Sequence, residues 1–219
     1  MAFPDTRQSA LLRLRNGDES VRRQSWEAII AAYWSPVQAY LRKRWNESEE
    51  DAADLTQAFF LSALEKGTLV SYDPARAAFR TYLRTCLDRF AINFRKRDRR
   101  RPTAAPIDFD LPGPAESPDA VFEREWIRGL FSLAVEDLRN LHDDIRFRVF
   151  LAYDLNESEV RPTYAELAMR FGITTETITN YLAAMRRQFR KTLLTRLREL
   201  TATEREFRSE ARTILGVDV

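Results

Sequence analysis

The chain has a single cysteine, Cys86, and a single histidine, His142, in 219 residues. One thiol excludes a disulfide framework and a cysteine-based metal site. One imidazole excludes a histidine-rich metal site and argues against a histidine-based catalytic triad. The six glycines are scattered singly, so neither a phosphate-cradling loop nor a dinucleotide fingerprint is present. No stretch approaches the ~18 apolar residues of a membrane span. The opening "MAFPDTRQSALLRLRNGDES" lacks the apolar core of a signal peptide. These absences disfavour an enzyme, call for no cofactor or metal, and lead us to expect a cytoplasmic protein without a membrane span.

What the chain does have is charge, and the charge is segregated. Its 35 cationic and 33 anionic residues nearly cancel to a formal +2. Yet "EEDAADLTQAFF", residues 49–60, gathers four carboxylates, whereas residues 76–101 carry a net +8 and end in "RKRDRRR". Segregation of this kind speaks about partners more than the total does.

Scarce glycine and abundant Ala, Leu, Arg and Glu predict an all-α fold. Five of the nine prolines fall in "RPTAAPIDFDLPGPAESP", an acidic run that cannot continue a helix and reads as a linker. We therefore expect two helical domains: residues 1–101, then a linker over 102–120, a smaller domain over 121–200 and a helical tail over 201–219. In "SWEAIIAAYWSPVQAYLRKRW", Ile29, Tyr33, Val37, Tyr40 and Leu41 follow helical spacing, with Pro36 requiring a kink or break. Ser48 suits the cap of the acidic helix and Gly67 its end. In the basic helix Phe79, Leu83, Leu87, Phe90 and Phe94 form one apolar stripe. In the tail, Thr201 with Glu204 reads as the cap of a further amphipathic helix.

The strongest local signal is "RPTYAELAMRFGITTETITNYLAAMRRQFRKTLLTRL". Thr163 and Glu166 have capping-box spacing, Gly172 permits a sharp turn, and Thr174 or Thr175 can cap a second helix. Leu167, Ile178, Leu182 and Met185 point inward. The outward face presents Thr175, Glu176, Thr177, Thr179 and Asn180, with Arg186, Arg187 and Arg190 beyond. Short polar groups at the start of such a helix reach base edges while flanking cations hold phosphates, so the pattern reads as a DNA-binding helix-turn-helix in preference to an ordinary helical hairpin with a solvated basic face.

With that motif at one end and the acidic–basic helix pair at the other, the chain resembles a bacterial sigma factor of the extracytoplasmic-function type, over about residues 24–100 and 122–195. "DAADLTQAFF" resembles the family's D-A-E-D-L-x-Q-E-x-F block, and "FRTYLRTCLDRFAINFRKR" its F-R-x-W-L-x-x-I-A-x-N segment. "FPDTRQSALLRLR", "YWSPVQAYLRKR" and "LTQAFF" are similar to a subset found beside serine/threonine kinases. The resemblance implies a sigma domain 2-like helical bundle and a sigma domain 4-like helix-turn-helix, joined by the proline-rich acidic linker.

It also implies roles. Asp51, Asp54, Gln57, Ala58 and Leu61, which share one side of a helical wheel, would dock on the clamp-helix coiled coil of core RNA polymerase. Arg80, Tyr82, Arg89, Asn93, Arg95, Lys96 and Arg97, with the loop over residues 71–78, would engage the −10 promoter element and hold an extruded base. The helix-turn-helix residues named above would read the −35 element. Of the aromatics, Phe79, Phe90 and Phe94 are expected in the core, and Tyr82 is equally suited to core and base stacking.

The chain departs from the pattern at Ala53 and Ala58, where the family carries acids, so the docking face is less charged. Phosphorylation would restore charge, with Thr56 the candidate phosphosite, although the wheel places it partly inside. Arg89 and Asn93 replace the family's usual asparagine and aspartate, and Tyr181 and Ala184 its common basic residues. A serine/threonine kinase or an anti-sigma factor are the regulatory partners the resemblance suggests. The rival reading is a helix-turn-helix repressor or activator that binds operator DNA without polymerase. It leaves "DAADLTQAFF" unexplained.

Overall fold

A computed structural model of the chain describes residues 9–98, 116–142, 144–156 and 160–216. Among these residues there are helices and no strands. The helices are α1 (Ala10–Asn16), α2 (Glu19–Trp45), α3 (Glu49–Glu65), α4 (Phe79–Asp98), α5 (Pro118–Leu141), α6 (Ile145–Asp154), α7 (Tyr164–Phe171), α8 (Thr175–Glu199) and α9 (Glu204–Leu215), with a 3-10 turn at Thr68–Ser71. The proline-rich run lies mostly outside the described residues.

Two compact units are present: residues 1–129 with 198–219, and residues 130–197. These cuts fall elsewhere than at the proline-rich run. The start of α5 and the whole of α9 belong with the first unit.

Unit 1 is built around α2. The caps are local and follow the sequence. Asp18 accepts from the Val21 amide, which holds its carboxyl below the usual carboxylate range. Ser48 accepts from the Asp51 amide, and Asn46 leaves α2 in the left-handed conformation that asparagine tolerates. Of the kink or break expected at Pro36, the break is absent, since α2 runs through it without interruption. Proline removes the amide that would bond to the Ala32 carbonyl. That carbonyl lies beside Gly129 of α5, where a side chain's first carbon would come within 3.8 Å of it. Buried Tyr33 and Val37 flank the proline, so tertiary packing overrides the local preference.

The centre of unit 1 is aromatic. The Tyr33 ring meets Phe79 edge-on at 5.3 Å and stacks on Phe122 and Trp126 at 6.4 and 6.5 Å. Tyr40 meets Phe122 edge-on at 6.0 Å, and its hydroxyl donates to the Asp88 carboxylate at 3.2 Å. On the other side of α2, Trp34 stacks on Phe60 of α3. Such pairs contribute about 0.5–1.5 kcal/mol each beyond area burial. The tail helix is capped by Thr203, which accepts from the Glu206 amide at 3.1 Å, not by the expected Thr201 and Glu204. Thr201 is buried, with its hydroxyl turned back to the Arg198 carbonyl.

Unit 2 has two linked apolar clusters: Leu138, Phe147, Phe150 and Met185, and Val149, Leu167, Ile178 and Leu182. The capping box of Thr163 and Glu166 is formed in both directions. The Thr163 amide and hydroxyl hold the Glu166 carboxyl below the usual range. Thr174, rather than Thr175, caps α8 by accepting from the Thr177 amide at 3.1 Å. Gly172 adopts φ 66° between α7 and α8. A side chain there would meet nothing within 4 Å, so a substitution is opposed by backbone strain alone. Gly172→Ala should therefore destabilise unit 2 by roughly 1–2 kcal/mol and Gly172→Asn by less. Denaturant melts followed by a unit 2 probe would check this order.

Candidate functional site

The acidic helix α3 divides cleanly. Leu55, Phe59 and Ala63 are buried, while Asp51, Asp54, Gln57 and Leu61 are exposed and Ala58 is half-buried. Leu61 and Leu64 stand out of the surface at 55% and 52% exposure, one turn apart. The face is thus carboxylate, amide and apolar together. Ser48 donates to the Asp51 carboxylate at 2.7 Å. Thr56 is on the opposite side. It is fully buried, and its hydroxyl donates to the Ala52 carbonyl at 2.7 Å. The phosphosite expected at Thr56 is therefore shut inside the fold.

Helix α4 has two charged flanks. Leu83, Leu87 and Ala91 bury its middle. On one flank, Tyr82, Cys86, Arg89, Phe90, Asn93, Phe94 and Lys96 join Phe59, Ser62, Ala63, Lys66 and Thr68 in a groove of about 610 Å³. Arg89, Asn93 and Lys96 are exposed there. The Tyr82 hydroxyl donates to the Thr68 carbonyl at 2.7 Å, and burial pushes its pKa up to about 12. Burial also pushes the Cys86 thiol up. Phe79 is core as expected, but Phe90 is only half-buried and Phe94 is 42% exposed. Both line the groove because the stripe rotates off the core along the helix. An aromatic floor with cations and one amide at its rim can take a planar base and an adjoining phosphate.

Arg80 lies on the other flank, half a turn from Tyr82, Arg89 and Asn93. Its Nη2 donates to Glu210 of α9 at 2.7 Å, and its Nε sits 2.8 Å from Glu123 of α5 as an ion pair without an aligned hydrogen bond. Its guanidinium lies 3.8 Å from the Trp126 ring centroid. Arg84 does the same one turn on, bonding Glu123 at 2.8 Å. Arg80, expected beside Tyr82 and Arg89, is committed elsewhere. Arg95 is also engaged: it donates to the Trp45 carbonyl at 2.6 Å and to Glu47 at 3.2 Å. The side chain of Arg97, and Arg99, Arg100 and Arg101 entirely, lie outside the described residues. The loop over residues 71–78 is pinned by the Tyr72 hydroxyl, which donates to the Ala77 carbonyl at 3.1 Å.

On α8, Thr175, Glu176, Thr179, Asn180, Arg187 and Arg190 are exposed, and Thr177 is half-buried by its cap contact with Thr174. Arg186 is exposed but already holds Asp154 with two hydrogen bonds at 2.8 and 2.9 Å. Lys66, Phe59 and Ser62 are groove residues that sequence reasoning missed. They become neighbours of Asn93 and Lys96 only when α3 packs on α4, and no spacing along the chain encodes that.

Residues 29–101, about one third of the chain, match the Sigma-70 region 2 family. This match supports a sigma-70 family factor, with a role in RNA polymerase binding and promoter recognition. Comparison with curated proteins and with solved structures gave no match.

The two kinds of α4 cation should behave differently on removal. Arg95→Ala should destabilise unit 1 by about 1–2 kcal/mol, because Glu47 and the Trp45 carbonyl lose a charged partner. Lys96→Ala should stay within about 0.5 kcal/mol. Paired thermal melts give the comparison.

Proposed function

We propose that the chain is an alternative sigma factor of the extracytoplasmic-function type. It binds core RNA polymerase, directs it to promoters and initiates transcription from the cytoplasm. The observation that carries this reading is the pairing, within the region matching Sigma-70 region 2, of the exposed α3 face with the cationic aromatic groove beside it. In the proposal, Asp51, Asp54, Gln57, Ala58 and Leu61 meet the clamp helices of the polymerase largest subunit. Leu61 supplies an apolar anchor, and the carboxylates steer the face toward a basic partner.

The groove then receives the −10 element. An unstacked base lies against Tyr82 and Phe94, Asn93 offers a donor and an acceptor to its edge, and Arg89 and Lys96 hold phosphates. Stacking of one base on an aromatic contributes about 1–3 kcal/mol, of the same order as the cost of unstacking it. Helix α8 takes the −35 element, with Thr175, Glu176, Thr179 and Asn180 toward the bases and Arg187 and Arg190 on the backbone. Arg80, Arg95 and Arg186 contribute through the fold, because each already has a carboxylate partner. An anti-sigma factor or a kinase remains compatible as a controlling partner, but not through Thr56.

The test mixes the purified chain with core polymerase and scores promoter-dependent transcripts. Asp54→Lys and Leu61→Glu should each weaken polymerase capture at least tenfold with an unchanged melting temperature. Arg187→Ala with Arg190→Ala should lower the salt dependence of promoter binding by roughly 0.9 per lost phosphate contact. A chain that binds specific duplex alone and gives no transcript with polymerase would be a repressor or activator instead.

A further inference from the structure

The Arg80 flank of α4 is closed by parts of the same chain that arrive from far along the sequence. One guanidinium holds carboxylates from two elements, Glu123 of α5 and Glu210 of α9, at 2.8 and 2.7 Å. Its side chain is only 16% exposed. One residue earlier, the first amide of α4, that of Phe79, donates to Glu206 of α9 at 3.2 Å. A carboxylate at that position is favoured by the helix dipole. Phe207 and Ala211 of α9 are buried, and the Arg198 guanidinium lies 3.9 Å from the Phe207 ring centroid. The covering helix is short, from Glu204 to Leu215. A helix of that length is marginal on its own, so its order depends on what it docks against.

We infer that α9 is a built-in latch on the Arg80 face: docked, its carboxylates occupy the Arg80 guanidinium and the first amide of α4, and its release frees these donors for promoter DNA. The regulatory part rests on the sigma-factor reading above. The contact is suited to release. The Glu123 ion pair lacks an aligned hydrogen bond at Arg80 Nε, and the two carboxylates share one positive charge. Losing Glu210 therefore leaves Arg80 paired with Glu123 rather than buried alone, and unit 1 keeps its core. Displacement by polymerase or by nucleic acid needs only to outcompete a helix that cannot hold itself.

Three full-length variants test this: Glu210→Lys, which repels Arg80; Glu210→Gln, which removes the charge without changing shape; and Phe207→Ala, which removes the apolar anchor and no charge. Hydrogen exchange of the α9 amides and the initial rate of promoter-directed transcription with core polymerase are read together. Glu210→Lys and Phe207→Ala should speed α9 exchange at least tenfold and raise the transcription rate at least fivefold, with Glu210→Gln between them and wild type. Unchanged exchange in all three overturns the latch. Faster exchange with equal or lower transcription overturns its regulatory role alone. No promoter-directed transcript from any form, wild type included, overturns the sigma-factor reading and the regulation with it.

Discussion

Helix α4 must bury an apolar stripe while carrying cations on both flanks, and unit 1 is arranged around that constraint. Leu83, Leu87 and Ala91 fix which side faces the core. Once they do, Arg80 and Arg84 emerge on one flank and Arg89 and Lys96 on the other. The two flanks meet different fates. The first is neutralised by acids of α5 and α9 and capped by the Trp126 and Phe122 rings. The second stays in water beside Lys66 and Asn93. A guanidinium taken partly out of solvent requires a carboxylate, whereas an exposed one can wait for a phosphate. The distinction between structural and available cations follows from burial, and it divides residues that look alike in the sequence.

The same sorting operates in unit 2. Arg186 is held by Asp154 and lies against the Tyr153 ring, and Arg196 is paired with Asp137. Arg187 and Arg190 remain exposed. The basic stretch of α8 is therefore two populations: cations that tie α8 to α6 and α5, and cations left for a partner. Exposed pairs such as Arg186 with Asp154 contribute little stability, on the order of 0–1 kcal/mol. Their larger effect is on geometry, because a bidentate carboxylate fixes where the side chain points.

Features set by a few neighbouring residues were legible in the sequence. The Ser48 cap, the Thr163–Glu166 capping box and the Gly172 turn each depend on atoms within four residues. The solvent side of α3 was legible for the same reason, since helical periodicity alone separates Asp54 and Gln57 from Leu55 and Phe59. Long-range packing was not. Pro36 reads as a kink or break, yet α2 continues through it, and Gly129, 93 positions later, lies against the freed carbonyl. Phe94 reads as core because its spacing fits, yet it stands 42% exposed at the groove beside half-buried Phe90. Thr203 and Thr201 compete for one cap within three residues. Burial of Thr201 decided it, and burial is a property of the docked helix rather than of its sequence.

The near-neutral total charge now has a structural meaning. The acids of α5 and α9 do not dilute a basic protein evenly. Glu123, Glu206 and Glu210 converge on the start of α4, where free amides and two arginines create positive potential. Carboxylates placed there satisfy the same donors that a nucleic-acid backbone would. A chain with unpartnered cations on every basic face would bind any polyanion without discrimination. Among the described residues, pairing the Arg80 flank internally leaves the exposed cations of α4, Arg89 and Lys96, on the flank that also carries the aromatic groove and the Asn93 amide. In the sigma-factor reading proposed above, charge there supplies attraction and the groove supplies selection.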